Sequence, residues 1–417
     1  MTNSLTKLIQ DGNSDSFYID LVKHELEWQL YDYGNHLTHK GRRGHAFRKD
    51  DIMIIIKFIW SLFKNKKVVG GKKVLNYVPF AFDDILESKG LVPYSMPFNA
   101  RRNACVIKSF KLLYYKYKID RILRTRSFND IISNDIKYIK IFYNVLRDVV
   151  IANDFKALMV LTDQPFLERA TIAVFNELGR KSFLFSHGLP GGYSLESDNR
   201  TSYLMVWGKT LRENYIKVGF DPKKVVVVGN PKYKKGYNIH IEWDDSRIVV
   251  VPESSIVWQQ EGYGIPIVPD RARMLVYLYE VEQVLKSKGY RKAYYRTHPS
   301  INREWVNMFI DRDFYEEDYI ALNESLKNAT LVIGATSTVL LEYVMSSVNF
   351  IEYERPGGFK LFSPFDGSDK RIPHAETPTQ LEALLNDKAI VNPDFINDYM
   401  QPFDTEALGD FFKRTIL

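Results

Sequence analysis

Short apolar runs alternate with helical stretches twice along this chain, and that alternation constrains its fold more than any other feature. Lys156-Ala-Leu-Met-Val-Leu-Thr162 is apolar from Ala157 to Leu161, as a strand buried on both faces requires. A helix is predicted at Leu167–Leu178, then strands at Ser182–Phe185 and Tyr203–Trp207, a helix at Leu211–Val218 and a strand at Lys224–Val228. A second series places strands at Arg247–Val251, Ala293–Arg296, Thr330–Ile333 and Asn349–Tyr353. Its helices fall at Arg271–Lys288, Arg303–Phe309 and Thr338–Ser346, with further helices near Thr379–Leu385 and Thr405–Leu417. Such alternation gives βαβ units and parallel sheets. The expected fold is therefore α/β: two doubly wound, Rossmann-like domains facing a cleft, with a helical N-terminal elaboration. The expected boundaries are 1–235 for an acceptor-side α/β domain with a basic helical region, 246–395 for a nucleotide-sugar-binding α/β domain, and 396–417 for a helical tail. The polar, basic stretch Lys232–Asp245 reads as the linker.

The N-terminal third is less regular. Ser16–His36 reads as polar helix, Lys73–Pro79 as a strand after the Gly70-Gly71 turn, and 104–153 as two helices broken near Thr125–Ser127. Ile52–Phe63 is the longest apolar stretch, is interrupted by Lys57, and falls short of the ~20 residues that span a bilayer. It is expected to be a buried or interfacial helix. Met1–Gln10 lacks the basic and apolar segments of a signal peptide. The single cysteine, Cys105, excludes an internal disulfide and a Cys-rich metal site. With 57 Lys plus Arg against 51 Asp plus Glu, the net charge of +6 is mild, and nucleic acid is not an expected partner. Lys and Arg recur through Arg101, Arg102, Lys108, Lys111, Lys116, Lys118, Arg121, Arg124 and Arg126, interleaved with Phe110, Tyr114, Tyr115 and Tyr117. Two uses are open: a face for an anionic or lipid-linked glycan acceptor or a membrane surface, or a solvated helix whose aromatics are core. The expected location is cytoplasmic, peripheral at the inner face of the plasma membrane.

In doubly wound sheets ligands bind outside the carboxyl ends of the strands, which turns strand assignments into site candidates. In the first series these are Asp163, His187 and Asn230. Asp163 suits a general base for an acceptor hydroxyl, or a cap on the helix after Pro165. His187, in Ser186-His-Gly-Leu-Pro-Gly-Gly192, is accessible to a ligand beside its glycines, or is a loop histidine satisfied by carbonyls. In the second series Val251-Pro-Glu-Ser-Ser255 supplies Glu253 and Ser254, and Arg296-Thr-His-Pro-Ser300 supplies His298 and Pro299. Gly334-Ala-Thr-Ser-Thr338 opens a helix with Ser337 and Thr338, a pattern that meets phosphate through free N–H groups and hydroxyls. His298 suits the same phosphate, and Ser337 equally suits a plain helix cap. Glu342 lies one turn further on, facing either the cleft or solvent. No Gly-x-Gly-x-x-Gly follows a strand, and no phosphate-loop Gly-x-x-x-x-Gly-Lys-Ser/Thr is present. No metal and no cofactor is expected.

Asp163, Ser186-His187-Gly188, Val206-Trp207-Gly208 and Gly229-Asn230-Pro231 together resemble the N-terminal domain strand ends of GT-B glycosyltransferases of bacterial capsule and O-antigen synthesis. His298-Pro299 and Ser337-Thr338 resemble motifs of bacterial sialyltransferases, polysialyltransferases and Kdo transferases, which use CMP-sugars. The resemblance covers roughly residues 156–355. It implies an inverting, metal-independent glycosyltransferase that moves an acidic sugar, Kdo or sialic-acid-like, from a CMP-sugar to a surface-polysaccharide acceptor. It places Asp163, His187 and His298 in catalysis. Glu253, Ser254, His298, Pro299, Ser337, Thr338 and Glu342 fall around the donor, and Arg101, Arg102 and Lys108 at the acceptor. CDP-glycerol-type polyol phosphotransferases share a His-Pro and a Ser/Thr-rich loop, and remain an alternative beside a non-catalytic glycan-binding assembly subunit.

Overall fold

The structure is a computed structural model that describes residues 15–26, 52–53, 55–56, 59–60, 70–78, 82–99, 107–190, 193, 195, 197–231, 233, 239–253, 256–258, 267–269, 271–298, 301, 303–318, 320–355, 365 and 367–417. Its first sheet contains β1 (Lys72–Asn76), β2 (Leu91–Tyr94), β3 (Phe155–Val160), β4 (Lys181–Phe185), β5 (Tyr203–Val206) and β6 (Val225–Val227). Their order is β2-β1-β3-β4-β5-β6, and every pair is parallel. The second series runs β7 (Ile248–Val251), β8 (Ile256–Trp258), β9 (Ile267–Pro269), β10 (Ala293–Tyr295), β11 (Tyr315–Glu317), β12 (Leu331–Gly334), β13 (Asn349–Tyr353) and β14 (His374–Ala375). Here β8 and β9 form a separate antiparallel pair, while the others make an all-parallel sheet in the order β11-β10-β7-β12-β13-β14. Both orders reverse once, between β1 and β3 and between β7 and β12. Those switch points open crevices at the carboxyl ends of the strands. The two doubly wound halves expected from the alternation are present.

The burial of β3 shows why its run is apolar. Leu158 and Val160 join a core with Phe142, Leu146 and Val149 of the helix Ile136–Ala152 and Phe175 of the helix Phe166–Glu177. The alternate residues Ala157 and Met159 join a different core with Phe82, Leu86, Leu408 and Phe412. Successive side chains point to opposite faces, so a strand covered on both sides must be apolar at every position. The second cover is the helix Thr405–Ile416, which comes from the far end of the chain. Phe412 meets Phe183 edge-on at 5.2 Å, and Lys89 holds Asp410 at 2.8 Å. The C-terminal helix thus packs on the first sheet, a destination that no local pattern signals.

Several elements differ from expectation. β2 carries Pro93, which reads as a strand breaker but is tolerated because β2 lies at the sheet edge. The helix Phe82–Ser88 and the short strands β11 and β14 are too brief for a clear period. The break between the two long N-terminal helices falls after Thr125, as predicted. Ile52, Met53, Ile55, Ile56, Ile59 and Trp60 are helical and exposed, so of the two alternatives for that stretch burial does not hold. No helix among the described residues is long and apolar enough to cross a membrane.

The return from the second sheet to the first is made at 396–402. Gln401 N–H donates to Trp207 O at 2.9 Å, and Asn230 N–H donates to Gln401 O at 3.0 Å. Gly208 and Gly229 flank this crossing closely. A Cβ on Gly229 would stand 2.5 Å from Pro402 O, and one on Gly208 would collide with the Asp398 and Tyr399 backbone. The Trp-Gly and Gly-Asn-Pro motifs therefore admit a neighbouring backbone. Gly208 has φ −149°, open to any residue, so a side chain there meets only the steric obstacle. Gly208→Ala is expected to cost about 1–3 kcal/mol, as overpacking does. A melting temperature equal to that of the wild type would refute this role for the crossing.

Candidate functional site

The loops after β3 and β4 carry the first-domain candidates. His187 is exposed, and its Nδ1 lies 2.9 Å from Leu161 O. A carbonyl only accepts, so Nδ1 carries the proton and Nε2 keeps its lone pair. Asp163 is fully buried. Its Oδ2 accepts from Arg200 Nη1 at 3.1 Å and from Arg200 N–H at 3.3 Å, and its Oδ1 accepts from Gln164 Nε2 at 3.1 Å. With both oxygens engaged and no exposed surface, Asp163 reaches no acceptor in this structure.

Nor does Asp163 cap the following helix. That cap is Glu25, whose Oε1 accepts Phe166 N–H at 2.7 Å from 141 residues away in the chain. Pro165 at the cap position offers no side-chain acceptor. Burial pushes the Glu25 carboxyl up to about 7, against the pull of the Phe166 N–H and Arg169.

The second-domain candidates gather at the carboxyl ends of β7, β10 and β12. Ser337 caps the helix Thr338–Met345 by accepting Val339 N–H. Thr336 gives its hydroxyl to Glu352 at 2.5 Å, and its N–H donates to Glu354 at 3.2 Å. Glu352 is also bonded to His374 Nδ1 at 2.8 Å. Thr338 Oγ1 accepts Leu189 N–H at 2.8 Å, a bond that crosses between the two sheets' loops. Gly188 permits this approach, since a Cβ there would lie 2.7 Å from Thr338 Oγ1. His187, Trp207, Asn230, Thr338, Leu341, Glu342, Met345 and Met400 line the cavity at the contact, about 30 Å³ in volume. That holds little more than a water or two, so the halves are closed against one another at this point. Glu342 thus faces the cleft.

The remaining expected residues divide as follows. Glu253 is buried between Arg273 at 2.5 Å and Arg355 at 3.1 Å, engaged by guanidiniums of its own chain. His298 ends β10 exposed, with partial desolvation holding its imidazole below the usual histidine value. Lys108 pairs with Asp148 at 3.0 Å and lines neither cavity beside His187. Arg101, Arg102, Ser254 and Pro299 lie outside the described residues.

A residue the sequence reading missed is Asp198. It shares a second cavity with His187 and Tyr215, and Tyr215 donates its hydroxyl to Asp198 Oδ2 at 2.7 Å. No strand precedes Asp198 closely and no motif surrounds it. Only its left-handed backbone, φ 61°, hints at a special position, and that is invisible in sequence.

No family model matches the sequence, and no curated protein matches it. Solved structures do resemble it. MurG of Acinetobacter baumannii is 11% identical over 82% of this chain and 100% of its own, with a TM-score of 0.45. UDP-GlcNAc 2-epimerase of Neisseria meningitidis bound to UDP-GlcNAc is 10% identical over 83% and 99%, with a TM-score of 0.43. The wall teichoic acid polymerase TagF, an H444N variant soaked with CDPG, is 10% identical over 94% and 97%, with a TM-score of 0.39. Residue roles here rest on this chain's own geometry.

Two outcomes are expected. Gly188→Ala should destabilise the protein by forcing its loop off Thr338. The double variant with Thr338→Ala should recover part of that loss, a coupling of about 0.5–3 kcal/mol in thermal unfolding; strict additivity would disprove the contact. For Glu25, a folded-state value raised from 4.5 to about 7 means that the stability present below pH 4.5 is lost as pH rises to 7. The loss is on the order of 3 kcal/mol. Glu25→Gln keeps the acceptor for Phe166 and should flatten that slope; an unchanged slope in urea titrations would reject it.

Proposed function

We propose that this protein is an inverting, metal-independent transferase that moves a group from a nucleotide-activated donor to a hydroxyl acceptor, with His187 as the base. The observation that carries this reading is the hydrogen bond between His187 Nδ1 and Leu161 O. Nδ1 is committed to Leu161 O, so Nε2 is the ring atom able to take a proton, beside a cavity closed by the helix Thr338–Met345. Asp163, sealed by Arg200, then acts as a positioning residue for the loops after β3 and β4.

In the reaction the acceptor O–H gives its proton to His187 Nε2 as the oxygen bonds the donor's electrophilic centre. The bond from that centre to the phosphate oxygen breaks, and its electron pair leaves with the nucleotide. The exposed His298 and the helix start at Ser337-Thr338 are the groups proposed to meet the leaving phosphate. The closed Leu189–Thr338 contact then has to part for the donor to enter. The proposed donor is a CMP-linked acidic sugar, Kdo or sialic-acid-like, and the proposed acceptor a surface glycan. The donor rests on the resemblance of the His298-Pro299 and Ser337-Thr338 motifs, and the acceptor on that of the motifs between Asp163 and Pro231.

The test is nucleotide release from CMP-Kdo, CMP-sialic acid, CDP-glycerol and UDP-sugars, each with glycan and polyol acceptors. Turnover of a CMP-sugar, lowered about 10²–10⁴-fold in His187→Asn, is expected. Turnover of CDP-glycerol alone would replace the sugar donor by a polyol phosphate. No turnover with any donor would leave a glycan-binding subunit as the better reading.

A further inference from the structure

The cavity behind the His187 loop is about 60 Å³, enclosed by Leu161, Leu184, Phe185, Leu204 and the loop Ser186–Pro190, with Asp198 and Tyr215 at its polar side. Apolar side chains share its walls with Ser186, His187, Asp198 and Tyr215. Tyr215 occupies Asp198 Oδ2 at 2.7 Å, and no described residue donates to Oδ1. Three unfavourable features converge on this one carboxylate. It is half-buried and partly desolvated, it stands near the charge of Asp163, and its backbone adopts φ 61° without being glycine. Together, burial and Asp163 push its carboxyl up to about 6, with Tyr215, His187 and Arg200 pulling the other way. Strain and repulsion of this kind concentrate where a group has work to do on a ligand.

We propose that this cavity is the acceptor subsite and that Asp198 is a catalytic residue, its free carboxylate oxygen holding the acceptor hydroxyl for His187. The ligand class is a neutral polyol or sugar hydroxyl. A small cavity lined by His187 and Asp198 suits a single carbon–hydroxyl unit and offers no lysine or arginine to an anionic group. The inference rests on the transferase reading and deepens it. Asp198 accepts the acceptor O–H first; as the oxygen attacks the donor, that proton passes to His187 Nε2 and the carboxylate stays ionised. Tyr215 is a positioning residue that fixes the carboxylate from behind.

Asp198→Asn retains an acceptor for the Tyr215 hydroxyl and removes the charge. Because the folded-state value is raised, the wild type loses stability as pH rises from about 4 to about 6, and the variant should not. The variant is therefore expected to be more stable than the wild type at pH 8 and no more stable at pH 4. A carboxylate kept only for structure predicts the reverse at pH 8. Transfer should fall at least about 100-fold with a higher acceptor KM, as removal of a group acting on the reacting proton does. Activity that survives with an unchanged acceptor KM would overturn the proposal, and so would a loss of stability at pH 8. A third measurement needs no donor: the ¹³C carboxyl resonance of Asp198, assigned with Asp198→Asn, should move when glycerol is added. If it moves while every donor is inert, the subsite stands and the transferase reading fails. If it does not move, the subsite is wrong whatever the donor results.

Discussion

The crossing of the chain at Met400–Pro402 is the constraint on which the rest of this structure depends. Trp207 O and Asn230 N–H pin Gln401 from both sides, and Asn230 pairs with Pro402 as a bridge. From there the chain reaches the helix Thr405–Ile416, which covers the open face of the first sheet through Leu408 and Phe412. Without that cover, Met159, Phe183 and Phe185 would lie in water, at about 25 cal/mol for each Å² of apolar surface. The same crossing brings Met400 against His187, Trp207 and the helix Thr338–Met345. One strand of backbone therefore closes a core, joins the two halves and walls the candidate site.

Charge is placed with the same economy. Asp163 is held by Arg200, Glu253 by Arg273 and Arg355, and Asp318 by Arg247 and Arg296. Burying a carboxylate without such partners would cost several kcal/mol. These pairs sit at or near the carboxyl ends of the strands and keep the loops in fixed positions around the cleft. Asp198 stands apart, bonded by a neutral Tyr215 hydroxyl rather than a cation. A net charge of +6 told little about this arrangement, because nearly every important charge is answered locally.

Much of the architecture was legible. β7 and β12 announced themselves because strands covered on both faces are apolar throughout, as β3 is from Ala157 to Val160. The expected sites at their carboxyl ends, His187 and Thr338 among them, do meet across the cleft. Asp163 misled because a strand-end carboxylate looks the same in sequence whether it faces a substrate or an arginine 37 residues away. Ser337 reads equally as phosphate ligand and helix cap, and the Val339 N–H bond shows it capping here. β2 was hidden by Pro93, whose meaning depends on lying at a sheet edge.

The class of fold could be read from local patterns alone, since periodicity is a property that each strand and helix carries in its own side chains. The same patterns show which loops lie at the carboxyl ends of the strands. The contacts those loops make came from the folded chain. Glu25 caps a helix from 141 residues away, Thr338 accepts Leu189, and Asp198 comes to stand behind His187. Each of these depends on contacts between residues distant in sequence, whose burial and pairing no local pattern encodes.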